Sequence, residues 1–268
     1  MSLSTQLYER LGFRKGGSAL TYMPQWPNSD PKKWFEFCAL STPGMCVIEE
    51  DFLQKNGSSL PLPWATQDTS SAGTPTLDYA ADATNGAFQL GLATTTEAEA
   101  ISLYWADQRM IDITKKPVML FRAAVIPDAT GAGGVFASGD KLVMGLASDR
   151  NATLDSVATN AWFMMAGANM NIYSETDDGT TDTDDKDTAL DYVSGTYRWF
   201  GIDCTNLASI KFYLHDANNV WRPMQSVTHK MSAATGNVQP FFELTKASAA
   251  NKDHSLLIDY IGLAWERE

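Results

Sequence analysis

The chain is poor in cysteine. Cys38, Cys46 and Cys204 are three in 268 residues, odd in number and irregular in spacing. That excludes a disulfide framework or a cysteine zinc site and points to folding in a reducing compartment. Positive charge is also scarce: 20 Lys and Arg stand against 32 Asp and Glu, a formal net charge of −12. Such a surface repels nucleic acid and anionic membranes, so neither is expected as a partner. No apolar run approaches the ~20 residues needed to span a bilayer. The opening Met1-Ser-Leu-Ser-Thr-Gln-Leu-Tyr-Glu-Arg10 has no basic stretch followed by an apolar one, so no secretory signal is expected. The histidines, His215, His229 and His254, lie too far apart in sequence to signal a metal triad and read as loop residues. There is no Gly-x-Ser-x-Gly elbow and no phosphate-binding Gly-x-x-x-x-Gly-Lys loop. Helix-period patterning is nearly absent, and no internal repeat is visible.

What is present is a β-rich globular composition. Hydrophobic residues make up 44% and charged residues 19%, which separates the chain from disordered sequences. The length suits one large β-sandwich with a full core. The most informative stretch is 196–214. Phe200, Ile202 and Cys204 alternate with Trp199, Gly201 and Asp203. After a short polar connection, Ile210, Phe212 and Leu214 alternate with Lys211, Tyr213 and His215. A repeat of two residues is that of a half-buried strand. The connection 205–209 has hairpin length, with Leu207 expected to tuck inward. This predicts a central antiparallel pair.

Residues 1–47 read as an arm. Leu3, Leu7 and Leu11, with Tyr8 beside them and Gly12 following, suggest one short helix. The prolines from Pro24 to Pro31 then forbid a central strand. Trp26, Trp34, Phe35 and Phe37 make this arm too aromatic to be a solvated linker. Its rings either pack on the parent domain or anchor a neighbouring subunit, and Leu7, Tyr8, Trp26, Trp34 and Phe35 are the candidate partner-binding residues. The main domain, 48–268, carries strand patterns at 47–53, 87–92, 98–105, 115–126, 142–147, 161–173, 238–244 and 256–265. Gly167 marks a possible bend in the sixth of these. In the last, Leu256, Ile258, Tyr260 and Gly262 alternate with Leu257, Asp259, Ile261 and Leu263. Many strands and almost no helix predict an all-β, antiparallel two-sheet jelly-roll sandwich with an extended N-terminal arm.

Candidate chemistry is thin. Residues 175–191 hold eight Asp and Glu against one Lys. Asp182, Asp184 and Asp187 could offer oxygens to calcium, but the EF-hand spacing fails, and an acidic loop forming a solvated hairpin tip, with a tight Asp178-Gly179 turn, is the simpler reading. Glu97 and Glu99 share a strand face, as paired glycosidase carboxylates do, without the third acid such strands carry. Trp64, Trp105, Trp162 and Trp221 could stack on sugars, or belong to the core. No catalytic residue, cofactor or metal is expected.

Four pieces together suggest a relative. They are Glu49-Glu-Asp-Phe-Leu53, Asn85-Gly-Ala-Phe-Gln-Leu90 with Glu97-Ala-Glu99, Lys116-Pro-Val-Met-Leu-Phe-Arg-Ala-Ala-Val125, and Tyr197-Arg-Trp-Phe-Gly-Ile-Asp203. Their texture and order, over about four-fifths of the chain, resemble concanavalin-type jelly-roll virion proteins of tailed bacteriophages. The resemblance implies a non-enzymatic virion protein on the capsid exterior, assembled in the host bacterial cytoplasm. It would decorate or cement the capsid by binding the major capsid protein and neighbouring copies of itself. The alternative it leaves open is a lectin-like carbohydrate-binding module of a phage head or tail fibre, with a glycan as partner.

Overall fold

The computed structural model describes residues 35, 44–53, 60–81, 83–84, 86–108, 110–127, 134–215, 221–248 and 253–267, with backbone alone at 221–226. Leu7, Tyr8, Trp26 and Trp34 lie outside the described residues. The strands run β1 (Met45–Glu50), β2 (Ala65–Asp68), β3 (Thr76–Tyr79), β4 (Phe88–Gly91), β5 (Glu99–Tyr104), β6 (Ile111–Asp112), β7 (Val118–Ile126) and β8 (Lys141–Ala147). They continue as β9 (Asn160–Ala166), β10 (Asn171–Asp177), β11 (Asp182–Asp191), β12 (Arg198–Asp203), β13 (Ile210–His215), β14 (Trp221–His229), β15 (Asn237–Lys246) and β16 (Ser255–Glu266).

They form two eight-stranded sheets. Sheet I has the order β14-β13-β12-β7-β16-β4-β3, with β1 also on β16. Sheet II has the order β11-β10-β9-β8-β15-β5-β2, with β6 also on β15. Every pairing is antiparallel. This is the predicted all-β, two-sheet architecture. Alternation places one face of each sheet in the shared core. There the Phe121 and Phe200 rings stack at 5.0 Å, and Phe163 meets both Phe200 and Phe212 edge-on at 5.1 Å.

The β12–β13 hairpin forms as read, with Ile202 opposite Phe212 and Leu207 packed against the core. It is not central, since β13 lies next to the edge strand and the middle of sheet I is β7 with β16. The pattern predicted at 161–173 is two strands, because Gly167 takes φ +71 and turns the chain. The acidic run is a strand pair, β10 and β11, rather than a loop, though Asp178-Gly179 does make its turn. Simple alternation also fails along β16. A bulge between Ile258 and Tyr260 shifts the register, so Leu256, Ile258, Ile261 and Leu263 all face the core.

The bulge turns Tyr260, Gly262 and Ala264 outward. With Val118 and Leu120 they form a second apolar cluster on the outer face of sheet I, and Phe35 lies fully buried in it. A Cβ on Gly262 would sit 2.7 Å from the Phe35 ring, so the socket depends on glycine. Phe35 thus packs on its own chain. Between the sheets, His229 of β14 reaches β10. Its Nε2 lies 3.0 Å from the Ser174 hydroxyl and its Nδ1 3.2 Å from the Thr176 hydroxyl, and its ring sits edge-on to Phe212. Burial, then Lys186 and Lys211, push its pKa down to about 4.

Two outcomes follow for stability. Phe35→Ala empties a closed socket and should cost about 3–5 kcal/mol in urea unfolding. An unchanged midpoint would show that the ring is not seated there. His229 is neutral when folded, whereas the unfolded chain protonates it near pH 6.5. Its contribution is therefore present above that pH and lost as pH falls towards 4, by roughly 3 kcal/mol. Stability measured from pH 7 to 4 should fall more steeply in the parent than in His229→Gln; parallel curves would contradict the assignment.

Candidate functional site

Outside the core, the two sheets are finished differently. The outer face of sheet II carries Tyr104, Val143, Trp162, Met164 and Phe241, all buried. The connection 148–159 between β8 and β9 folds back over them. It contains a short 3-10 turn, Leu154–Ser156, and buries Leu154 and Val157 against these rings. Leaving so large an apolar face open to water would be unfavourable, so the connection acts as a roof.

Arg150 pins this roof. Its Nε donates to the Ser102 hydroxyl at 2.8 Å and lies 2.9 Å from a Glu243 carboxylate oxygen, while its guanidinium also donates to Thr69 at 2.9 Å. Ser102 donates to the same Glu243 oxygen at 2.6 Å. Glu243 is buried, and that burial raises its pKa, opposed by Ser102 and Arg150. The roof is further held where the Arg150 amide donates to Asp107. Ala106 and Asp107 both have positive φ, a backbone cost offset as Gln239 accepts from the Trp105 and Asp107 amides and donates to the Asp107 carboxylate.

At one end the roof stops short of the sheet and leaves a groove of about 390 Å³. Its floor is the ends of β5, β8 and β15, where Thr245 lies opposite both Ala100 and Lys141. One wall is Ala152, Thr153 and Asp155 of the roof; the other is Thr69 and Ser71 after β2. Lys141 crosses from floor to wall in a 3.2 Å ion pair with Asp155. Beneath the floor, Glu99 and Lys246 form a fully buried pair at 3.3 Å. Glu99 accepts from the Ala93 amide and the Thr95 hydroxyl, and Lys246 donates to the Ala93 and Thr95 carbonyls. The pair is satisfied and ties the 92–98 turn to the sheet.

The sequence candidates fall as follows. Glu99 is held by Lys246 and Thr95 and is not available as half of a carboxylate pair with the partly exposed Glu97. Trp64, Trp105 and Trp162 are buried, so their rings offer no stacking surface. His215 and His229 end strands rather than lie in loops. His254 is also buried, with Nε2 2.8 Å from Asp140 and its ring against Phe136. Among the described residues, no group of three or more His, Cys, Asp and Glu is placed to hold a metal. Sequence reasoning missed Arg150, Lys141, Asp155 and Thr245. Arg150 and Asp155 lie in a connection without a motif, and only the strand register brings Thr245 and Lys141 together.

The acidic hairpin lies on the same side as the groove. Glu175 pairs in register with Trp162 and takes an Asn160 amide contact at 3.4 Å. Its pKa is pushed up to about 7, chiefly by burial and secondarily by Asp184, Asp185 and Asp182, with the Trp162 indole acting in opposition. Burial, Asp184, Asp177 and Asp155 push Asp182 up to about 6.

No protein-family model and no curated protein matches the chain. Among solved structures, it is similar to a protein of unknown function from Shewanella oneidensis MR-1, with TM-score 0.54 and 12% identity over 92% of this chain and 97% of that one. It is also similar to the carbohydrate recognition domain of Emp47p, with TM-score 0.52 and 12% identity over 81% and 94%. Peanut lectin bound to a nine-residue peptide gives TM-score 0.51 and 9% identity over 82% and 97%. At these identities the likeness is one of fold, the two-sheet sandwich of concanavalin-like lectins.

Glu175 gives this site a testable signature. A carboxyl group that prefers its proton in the fold contributes stability at acid pH and loses it as pH rises from about 4.5 to about 7. Glu175→Gln should therefore raise thermal stability at pH 8, by up to roughly 3 kcal/mol, and change it little at pH 4. Equal effects at both pH values would count against the buried carboxyl.

Proposed function

We propose that this protein is a non-catalytic glycan-recognition module, with the groove beside the β8–β9 roof as its binding site. The observation that carries this reading is the groove's composition. Thr69, Ser71, Thr153 and Thr245 and one exposed ion pair line a volume within the range of small-molecule sites. The hydroxyls of Thr69, Ser71 and Thr245 donate to the Ala100, Ala98 and Lys141 carbonyls, so what they offer a ligand is oxygen lone pairs; Lys141 is the donor and Asp155 a further acceptor for a hydroxyl-rich ligand. The carbohydrate recognition domain and the lectin that share the fold support the class of ligand; a shared fold alone does not assign function.

A second reading is a virion structural protein of a tailed phage, decorating the capsid exterior and assembled in the host cytoplasm. It is favoured by the burial of Trp64, Trp105 and Trp162 and by the roof over sheet II, which give a closed block rather than an open aromatic sheet. Its partners would be the major capsid protein and copies of itself.

One comparison separates the two. The full chain is tested on a glycan array and, in parallel, by co-sedimentation with undecorated phage capsids. Glycan signals that disappear in Asp155→Ala support the first reading. A silent array with saturable capsid binding would replace it with the second.

A further inference from the structure

We infer that the groove selects neutral saccharides, held through hydroxyl contacts without ring stacking, and that Lys141 and Asp155 are its specificity-determining residues. This deepens the glycan reading and rests on it.

Charge is the first argument. Among the described residues the charged groups at the groove form two ion pairs, Lys141 with Asp155 across it and Glu99 with Lys246 beneath its floor, so their formal charges sum to zero. Its surroundings are not neutral. The acidic hairpin shares this outer face, with Glu175 in register with Trp162, and the whole chain carries −12. A uronate or sialate carboxylate entering here could pair with Lys141 only by displacing Asp155 and leaving that carboxylate uncompensated, because Lys246 is buried and committed to Glu99 and the Ala93 and Thr95 carbonyls. A neutral sugar avoids that cost.

The second argument is shape and surface. Among the described residues no aromatic side chain lines the groove, and the outer-face rings are sealed beneath Leu154 and Val157. Stacking, which favours aromatic glycosides and exposed sugar faces, has no platform. The floor is made instead of small side chains, Ala100 and Thr245, which let a ligand approach the strands closely.

The third argument concerns the ion pair itself. The Lys141 side chain is 34% exposed and that of Asp155 77%, so the pair is solvated and held weakly. Two neighbouring hydroxyls on one sugar can replace it. One accepts from the Lys141 ammonium and the other donates to the Asp155 carboxylate, giving two charge-assisted hydrogen bonds at a fixed separation.

The experiment is titration calorimetry on the full chain with neutral oligosaccharides that score on the array and with their uronate or sialylated counterparts, at low and high salt. The parent should bind the neutral sugar about tenfold or more tightly than the acidic one at low salt, with the gap narrowing at high salt. Asp155→Asn and Lys141→Gln should each weaken the neutral sugar about tenfold while leaving the thermal midpoint unchanged, since both side chains are solvated. Acidic sugars that bind equally well or better would overturn the inference and leave the glycan reading intact. Variants that bind the neutral sugar like the parent would overturn the inference and, with it, the assignment of glycan binding to this groove. Failure of the parent to bind any glycan of either class would remove the glycan reading and this inference with it.

Discussion

Strand β16 is the constraint on which the rest of the molecule depends. Its twelve residues pair with β7 along one side and with β1 and β4 along the other. A strand so placed can keep both halves of its apolar set in the core only if something corrects the register. The bulge at Asp259 does this. It also fixes the outer face, where Asp259 is ion-paired with Arg122, itself lying 4.8 Å from the Tyr197 ring centre. Three residues on, Gly262 opens the socket that holds Phe35. One inserted residue thus determines the core of one sheet and the seat of Phe35 on its outer face.

Sheet II meets the same difficulty, an apolar outer face, by covering it with its own chain. The roof carries only Leu154 and Val157 as apolar anchors, so a buried polar network does the rest. Arg150, Ser102 and Glu243 form a hydrogen-bonded unit in which removing one member would leave another charged and buried. Such networks stabilise less than they specify, because they allow the roof a single seating. The groove exists because that seating ends before the sheet does. Its wall is therefore only as well placed as Arg150.

Much of this architecture was legible in the sequence, for physical reasons that also explain the misreadings. Alternation identifies a strand wherever one face is wet, as at β12 and β13. It misleads where a bulge intervenes, as along β16, and it is silent where both faces are covered. The strands β2 and β3 are four residues each and polar on one side, too short for a pattern to emerge. The acidic run disguised β10 and β11, since Asp is depleted in strands and reads as loop. Trp162 could not be assigned from sequence at all. It sits on an outer face and would be exposed but for a roof with no recognisable motif. The groove was illegible for the same reason: its residues come from five separate segments and meet only through register.

The acidic hairpin has a consequence for how the molecule behaves in company. Among the described residues strand β11 pairs only with β10, which makes it the end strand of sheet II, ten residues long, and an unpaired edge of that length is a template on which another chain could polymerise. Asp182, Asp184, Asp185 and Asp187 are all exposed along it, so at neutral pH two such edges repel each other before their amides can meet. Colloidal stability in a crowded solution is thus written into the same residues that read, in sequence, as a solvated acidic run. Mild acidification weakens this guard, because burial and the neighbouring Asp184 and Asp177 carboxylates push Asp182 up to about 6.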